Sequence, residues 1–219
     1  MNYDNNYIDV HTHSLKKCDA IQVYNQPTED SFQTDLCSVG IHPWHIDSNN
    51  TNDQLEQLEI LLHQKTVIAL GECGLDKLID LPIATQETVF KAQILLAEKH
   101  NKPLIIHCVR AFDDLLRIRK EMNVTVPMII HGYNNNKEIA LQLLKSGCYF
   151  SFGKALLNNE SNASQVISLI PSDKVFLETD SSDTTIENIY TAASGLLKLE
   201  MDVLKKIIST NFKNVFLHS

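Results

Sequence analysis

The chain has 219 residues, of which 43% are hydrophobic and 21% charged, and its formal net charge is −8. This length is typical of one α/β-barrel domain or of two small domains, with a core large enough to need no disulfide staples. The negative charge argues against a broad basic face for duplex DNA. The longest apolar runs fall short of a membrane span, so we expect no membrane association.

The cysteine pattern bears on the cellular compartment. The five cysteines stand at positions 18, 37, 73, 108 and 148, and no CxxC pair occurs. An odd number without such a pair predicts neither a disulfide framework nor a zinc ribbon. Reduced thiols are typical of the cytoplasm, and the first residues lack the basic and apolar regions of a signal peptide. We therefore expect a cytoplasmic protein, and no motif points to a protein partner.

Short apolar runs alternate with segments of helical periodicity along the chain. In chain order we predict strands at 7–10, 20–24, 36–41, 66–70, 127–130, 148–152 and 174–178, and a further strand, the fifth, that opens at 102–103. We predict helices at 53–64, 85–100, 111–122, 136–145, 162–170, 185–197 and 201–216.

This alternation predicts a parallel sheet, and eight strands predict its closure into a (β/α)8 TIM-type barrel. We interpret residues 1–219 as a single domain of this α/β class. Too few residues separate the first two strands for a crossover helix. The first helix is therefore expected to be missing, and the barrel to be irregular near strands 1 and 2.

Five of the predicted strands lead into side chains that commonly bind metals. In a parallel barrel, polar side chains at the carboxyl ends of the strands meet at the active-site face. We expect these side chains to converge there and to hold two divalent cations. They are His11, His13, Glu72, His107, His131 and Asp180.

The neighbours of these side chains suggest supporting roles. Asp9 shares a strand face with His11, so it could orient an imidazole or tie down the strand end. Gly71 and the glycine at position 74 are interpreted as a tight turn around the carboxylate of Glu72. Glu178 is expected to support the site through a hydrogen bond, or to form a buried structural salt bridge.

These segments resemble the TatD family of metal-dependent hydrolases. The resemblance implies an eight-stranded α/β barrel, a pair of divalent cations, and hydrolysis of phosphodiester bonds, typically as a DNase. The matching pieces, in the order of the family, are DVHTH at 9–13, GIHP at 40–43, GECGLD at 71–76, PLIIH at 103–107, HG at 131–132, FSFG at 150–153 and LETD at 177–180.

The resemblance also implies roles for individual residues. By this resemblance, the first cation would be bound by His11, His13 and Asp180, and the second by His107 and His131. The carboxylate of Glu72 would bridge the two cations. His42 would contact a substrate phosphate. The segment between positions 13 and 40 is shorter than is usual in the family, and Ser-Ser-Asp follows Asp180 where the family more often has a proline and an aromatic residue.

The expected reaction is attack of a metal-activated water on phosphorus. Asp180 would accept the proton of that water, Glu72 would hold the cations, and Arg110 would steady a phosphate oxygen. The mixed ligands suit Zn²⁺, Mn²⁺ or Mg²⁺. The expected substrate is nucleic acid, as single-stranded or nicked DNA ends. Two alternatives remain open: a hydrolase of small amides, esters or lactones, and a non-catalytic metal-binding scaffold.

Overall fold

The structure is a computed structural model that describes Tyr3, residues 5–28, Thr34 and residues 36–217. Eight strands form one sheet in chain order, and the pairs whose register is defined are parallel. The strands are β1 (Ile8–Thr12), β2 (Ile21–Asn25), β3 (Cys37–Val39), β4 (Val67–Asp76), β5 (Leu104–Val109), β6 (Met128–Ile130), β7 (Tyr149–Phe152) and β8 (Val175–Leu177).

Helices separate the strands from β3 onward, as in a (β/α)8 TIM-type barrel. None of the described helices is both long enough and apolar enough to cross a membrane. The helices are α1 (Thr51–Leu62), α2 (Ile83–His100), α3 (Phe112–Glu121), α4 (Lys137–Lys145), α5 (Asn162–Val166), α6 (Ile186–Leu197) and α7 (Met201–Phe216). The predicted helix at 162–170 is split, since a 3-10 turn (Ile167–Leu169) follows α5.

The residue contacts divide the chain into two compact units. The first takes in Met1–Tyr24 and Ile130–His218, so far as these ranges are described, and the second takes in Asn25–Ile129. The interpretation of residues 1–219 as a single domain stays a prediction.

The first unit contains the expected irregularity. Residues 13–20, all of which are described, join β1 to β2 without a helix, as predicted from the short connection. Other helices cover β1 instead. Helix α7 packs on β1 and β8, and the hydroxyl of Tyr190 on α6 accepts a hydrogen bond from the amide of Ile8 at 3.0 Å.

In the second unit, strand β4 is longer than predicted. Our interpretation of a turn after position 70 is wrong, because the strand continues to Asp76 with all ten residues buried. Gly71 and Gly74 have φ of +151° and +142° and let β4 run close against β5. A Cβ atom on Gly74 would lie 2.0 Å from the carbonyl oxygen of His107. These glycines therefore permit close strand packing rather than a turn.

Two buried glutamines fasten α2 to the carboxyl ends of the neighbouring strands. Gln93 accepts a hydrogen bond from the amide of Ile41 at 2.8 Å and donates one to its carbonyl at 3.0 Å. Gln86 makes the same pair of bonds with Asp76, at 2.8 and 2.9 Å. These bonds satisfy backbone groups where the strands end, and they hold in place the segments that carry candidate site residues.

Candidate metal centre

In the first unit, three strands bring metal-binding side chains together at their carboxyl ends. One potential ligand atom from each of His11, His131 and Asp180 lies within 4.8 Å of the others. The Oδ1 atom of Asp180 is 3.8 Å from Nε2 of His11 and 3.4 Å from Nε2 of His13. Four of the six predicted ligands therefore lie in this unit, with Asp180 next to both His11 and His13.

The backbone fixes Asp180 against β1. Its amide donates to the carbonyl of His11 at 2.9 Å, and its carbonyl accepts from the amide of His13 at 3.1 Å. Asp180 also adopts a left-handed conformation with φ of 53°, which costs free energy for a residue other than glycine. The two hydrogen bonds hold the residue in this conformation beside both histidines.

A buried carboxylate supports His131. Glu178 is fully buried, and its Oε1 accepts a hydrogen bond from the amide of Gly132 at 2.6 Å and lies 3.3 Å from Nδ1 of His131. Burial alone would raise the pKa of Glu178, but the neighbouring His131 holds that pKa below its ordinary value. The contact fits both roles that the sequence left open for Glu178, a supporting hydrogen bond and a buried salt bridge.

Asp9 ties β1 to the segment after β8. Its carboxylate accepts hydrogen bonds from the amide of Thr179 at 2.9 Å and from the Thr179 hydroxyl at 2.5 Å. Burial raises the pKa of Asp9 to about 7. Of the two roles that the sequence left open for Asp9, these contacts match the strand tie.

In the second unit, Glu72 is the centre of another group. Its Oε1 lies 3.2 Å from Nε2 of His42 and 2.9 Å from Nδ1 of His107. One potential ligand atom from each of the three residues lies within 4.8 Å of the others. Burial lowers the pKa of His42, which favours the neutral imidazole that binds metals. His42, predicted to contact a phosphate, is thus also a candidate ligand.

Further residues that the sequence analysis missed hold this second group. The side-chain oxygen of Asn25 accepts a hydrogen bond from the amide of Glu72 at 2.9 Å. Asp76 Oδ2 accepts from Nε1 of Trp44 at 2.7 Å and lies 3.3 Å from Nε2 of His107. The spacing of Glu72 and Asp76 could have indicated that Asp76 belongs to this group, because residues four apart share one face of a strand.

Arg110 follows the end of β5 in a left-handed conformation with φ of 53°. Its side chain is exposed and lies on the same strand end as His107. This position leaves the guanidinium accessible to a substrate, and its phosphate contact stays a prediction.

The donor chemistry of both groups fits divalent cations. Each group offers two imidazole nitrogens and one carboxylate oxygen, which are ligands of Zn²⁺ and of Mn²⁺. Three protein ligands leave coordination positions for water or substrate. The division of ligands between two cations and the bridging role of Glu72 stay predictions.

The family model described as TatD related DNase matches residues 26–217. The chain belongs to this TatD family. The match begins after the His11-Thr12-His13 segment, so the family model does not bear on these two predicted ligands. The predicted family is therefore confirmed across most of the chain.

Individual relatives agree with the family. The TATDN1 homolog of Enterocytozoon bieneusi is 33% identical over 172 residues, which cover 74% of this chain and 61% of that protein. The uncharacterized metal-dependent hydrolase YabD of Bacillus subtilis is 35% identical over 147 residues, covering 65% of this chain and 57% of that protein. The matches thus span about three-fifths of the length of these relatives.

A solved structure confirms the predicted fold class. The TatD homolog YJJV of Escherichia coli K12 superposes with a TM-score of 0.74 at 23% identity, over 83% of this chain and 76% of that chain. At this identity the likeness establishes the (β/α)8 barrel fold and nothing about the substrate.

Proposed function

We propose that this TatD family member is a metal-dependent phosphodiesterase that hydrolyses DNA. The observation that carries the proposal is the presence of two groups of two imidazoles and one carboxylate at strand carboxyl ends. That donor set is suited to catalysis because it leaves coordination positions open. The family description and the provisional deoxyribonuclease name of the Enterocytozoon relative support a nucleic acid substrate.

The six predicted ligands, together with His42, would hold two divalent cations. Each cation would be Zn²⁺, Mn²⁺ or Mg²⁺. When bound, such cations lower the pKa of water and neutralise developing charge on phosphate oxygens. Asp180 is partly exposed and lies beside both His11 and His13. Its carboxylate is therefore in a position to take a proton from the attacking water.

The chain's own polar groups would orient the substrate. Arg110 presents an exposed guanidinium at the end of β5, and a guanidinium pairs with phosphate oxygens in a fixed geometry. The net charge of −8 makes long-range attraction of duplex DNA weak. Single-stranded or nicked ends, which need few phosphate contacts away from the candidate ligands, are the substrate form that this charge favours.

A cleavage assay with a matched control tests the proposal. Protein stripped by a chelator is incubated with a labelled single-stranded oligonucleotide, and Mg²⁺, Mn²⁺ or Zn²⁺ is added back. Asp180→Asn should lower the metal-restored rate by about 10²-fold or more. Asp183→Asn makes the same chemical change at an exposed position in the same loop, and should cleave at the rate of the unchanged protein.

Other outcomes would contradict the nuclease proposal in distinct ways. Metal-dependent hydrolysis of small esters, amides or lactones without cleavage of any oligonucleotide would indicate a small-molecule hydrolase. Stoichiometric metal binding without turnover of either substrate class would indicate a metal-binding scaffold.

A further inference from the structure

Trp44 is a large apolar side chain that the proposed mechanism does not use. It is the one tryptophan of the chain and lies in a 3-10 turn (Pro43–His45) between β3 and α1. Its side chain is 63% exposed. Exposing a tryptophan to this extent sacrifices burial of apolar area, so an exposed indole beside a candidate site suggests a binding role.

The indole is held in one orientation. Its Nε1 donates to Oδ2 of Asp76 at 2.7 Å, and its backbone amide donates to Nδ1 of His42 at 3.1 Å. The ring stands edge-on to the His42 ring, with centroids 5.0 Å apart and planes at 88°. Its centroid is 6.1 Å from that of His107. The group around Glu72 therefore has a fixed aromatic surface directly beside it.

Asp76 anchors a second exposed apolar residue. Its Oδ1 accepts a hydrogen bond from the amide of Leu78 at 2.8 Å, and the Leu78 side chain is 60% exposed. One carboxylate thus connects His107, an exposed indole and an exposed aliphatic residue. An exposed indole next to candidate ligands is suited to a substrate that has both an anionic and a flat apolar part.

We propose that Trp44 stacks on a nucleobase adjoining the phosphodiester bond that is hydrolysed. This inference rests on the proposed function and names a substrate contact that the ligands do not provide. Stacking on an aromatic side chain tolerates any base, because every base has a π face. In a chain with a net charge of −8, attraction of phosphates away from the candidate ligands contributes little affinity. A stacking contact therefore supplies binding that charge does not.

The single tryptophan makes the contact directly observable. The metal-loaded protein is titrated with a phosphorothioate thymidine oligonucleotide, which resists hydrolysis, and with an abasic phosphorothioate chain of the same length. Indole fluorescence and the anisotropy of a labelled chain are followed together. We expect the thymidine chain, and not the abasic chain, to change the fluorescence of Trp44.

Substitutions quantify the contribution. Trp44→Ala should weaken binding of the thymidine chain by about 5- to 150-fold, the range that stacking of one base implies, and should leave binding of the abasic chain unchanged. Trp44→Phe should retain most of the affinity. The control is Leu95→Ala on α2, which removes a side chain that is also 63% exposed and should change neither affinity.

The outcomes separate this inference from the proposed function. Cleavage of an unmodified oligonucleotide, combined with silent Trp44 fluorescence and full affinity of Trp44→Ala, would overturn the stacking role alone. Absence of both oligonucleotide binding and cleavage would overturn the proposed function, and the stacking role with it.

Discussion

The buried carboxylate of Glu178 lies 3.3 Å from Nδ1 of His131. With its proton on Nδ1, His131 donates to Oε1 of Glu178 and keeps a lone pair on Nε2, which is the form of imidazole that binds a cation. The amide of Gly132 donates to the same Glu178 oxygen at 2.6 Å. The carboxylate thus fixes both the ring and the backbone next to it.

Glu178→Gln should weaken divalent metal binding by about 10- to 100-fold, the usual effect of losing a carboxylate behind a ligand histidine. The side-chain oxygen of the glutamine can still accept a hydrogen bond from the amide of Gly132, so the fold should persist. Calorimetric titration of the chelator-stripped protein with Zn²⁺ measures the affinity. Glu160→Gln, at an exposed position, is the control, and equal affinity of both variants would contradict the orienting role.

His42→Ala distinguishes a metal ligand from a phosphate contact. Because His42 Nε2 lies 3.2 Å from the carboxylate of Glu72, we expect the variant to bind less Zn²⁺ or to bind it more weakly in the absence of substrate. Calorimetry and metal analysis after dialysis measure this loss. Unchanged metal binding with a raised KM for the oligonucleotide would instead support the phosphate contact that the sequence predicted.

A glycine substitution in β4, with one on α6 as its control, tests the close packing of β4 against β5. Gly74→Ala should destabilise the protein by about 3 kcal/mol or more, since its Cβ would meet the backbone of β5 at 2.0 Å. Gly195→Ala on α6 meets no atom within 4 Å and should stabilise by about 0.5–1 kcal/mol. Denaturant unfolding measures both, and a Gly74→Ala variant as stable as the parent would refute the close-packing explanation.

Glu98 should make the free energy of unfolding depend on pH in the acid range. Desolvation opposes its charge, but hydrogen bonds from Thr125 and from the amide of Val126 lower the pKa of Glu98 below its ordinary value of 4.5. Its contribution is therefore present above about pH 4.5 and is lost as the pH falls through the lower, folded-state value.

Glu98→Gln should accordingly lower the free energy of unfolding by about 1 kcal/mol at pH 7, a value reduced for partial exposure. The difference in the free energy of unfolding between this variant and the parent protein should shrink as the pH falls below 4.5, the ordinary pKa of Glu98. Urea unfolding at several pH values measures it. Glu56→Gln, at an exposed position on α1, is the control, and a difference that is constant across this pH range would contradict the assignment.

The elements with long, regular patterns were predictable from the sequence. The last helix, predicted at 201–216, has those same bounds, and the helix predicted at 85–100 begins two residues earlier, at Ile83. The missing helix between β1 and β2 was also predictable, because chain length alone excludes it. These features depend on local periodicity and spacing, which a sequence carries directly.

Features that depend on contacts between distant segments were not predictable in the same way. The glycines of β4 were interpreted as a turn because glycine permits both a turn and close strand packing, and only the neighbouring strand decides between them. Trp44 was overlooked because its contact with Asp76 joins residues 32 positions apart. The ligand residues were predictable as a set, but their neighbours within each unit depend on the folded geometry.

The pairing of β1 with the segment after β8 has a consequence for biosynthesis. His11 is made before the backbone that fixes Asp180 beside it, and contacts such as Thr12 to Asp180 span 168 positions. Contacts this far apart in sequence form slowly and only after both segments leave the ribosome. In a nascent chain, His11 and His13 therefore lack the carboxylate beside them until the segment that carries Asp180 has been made.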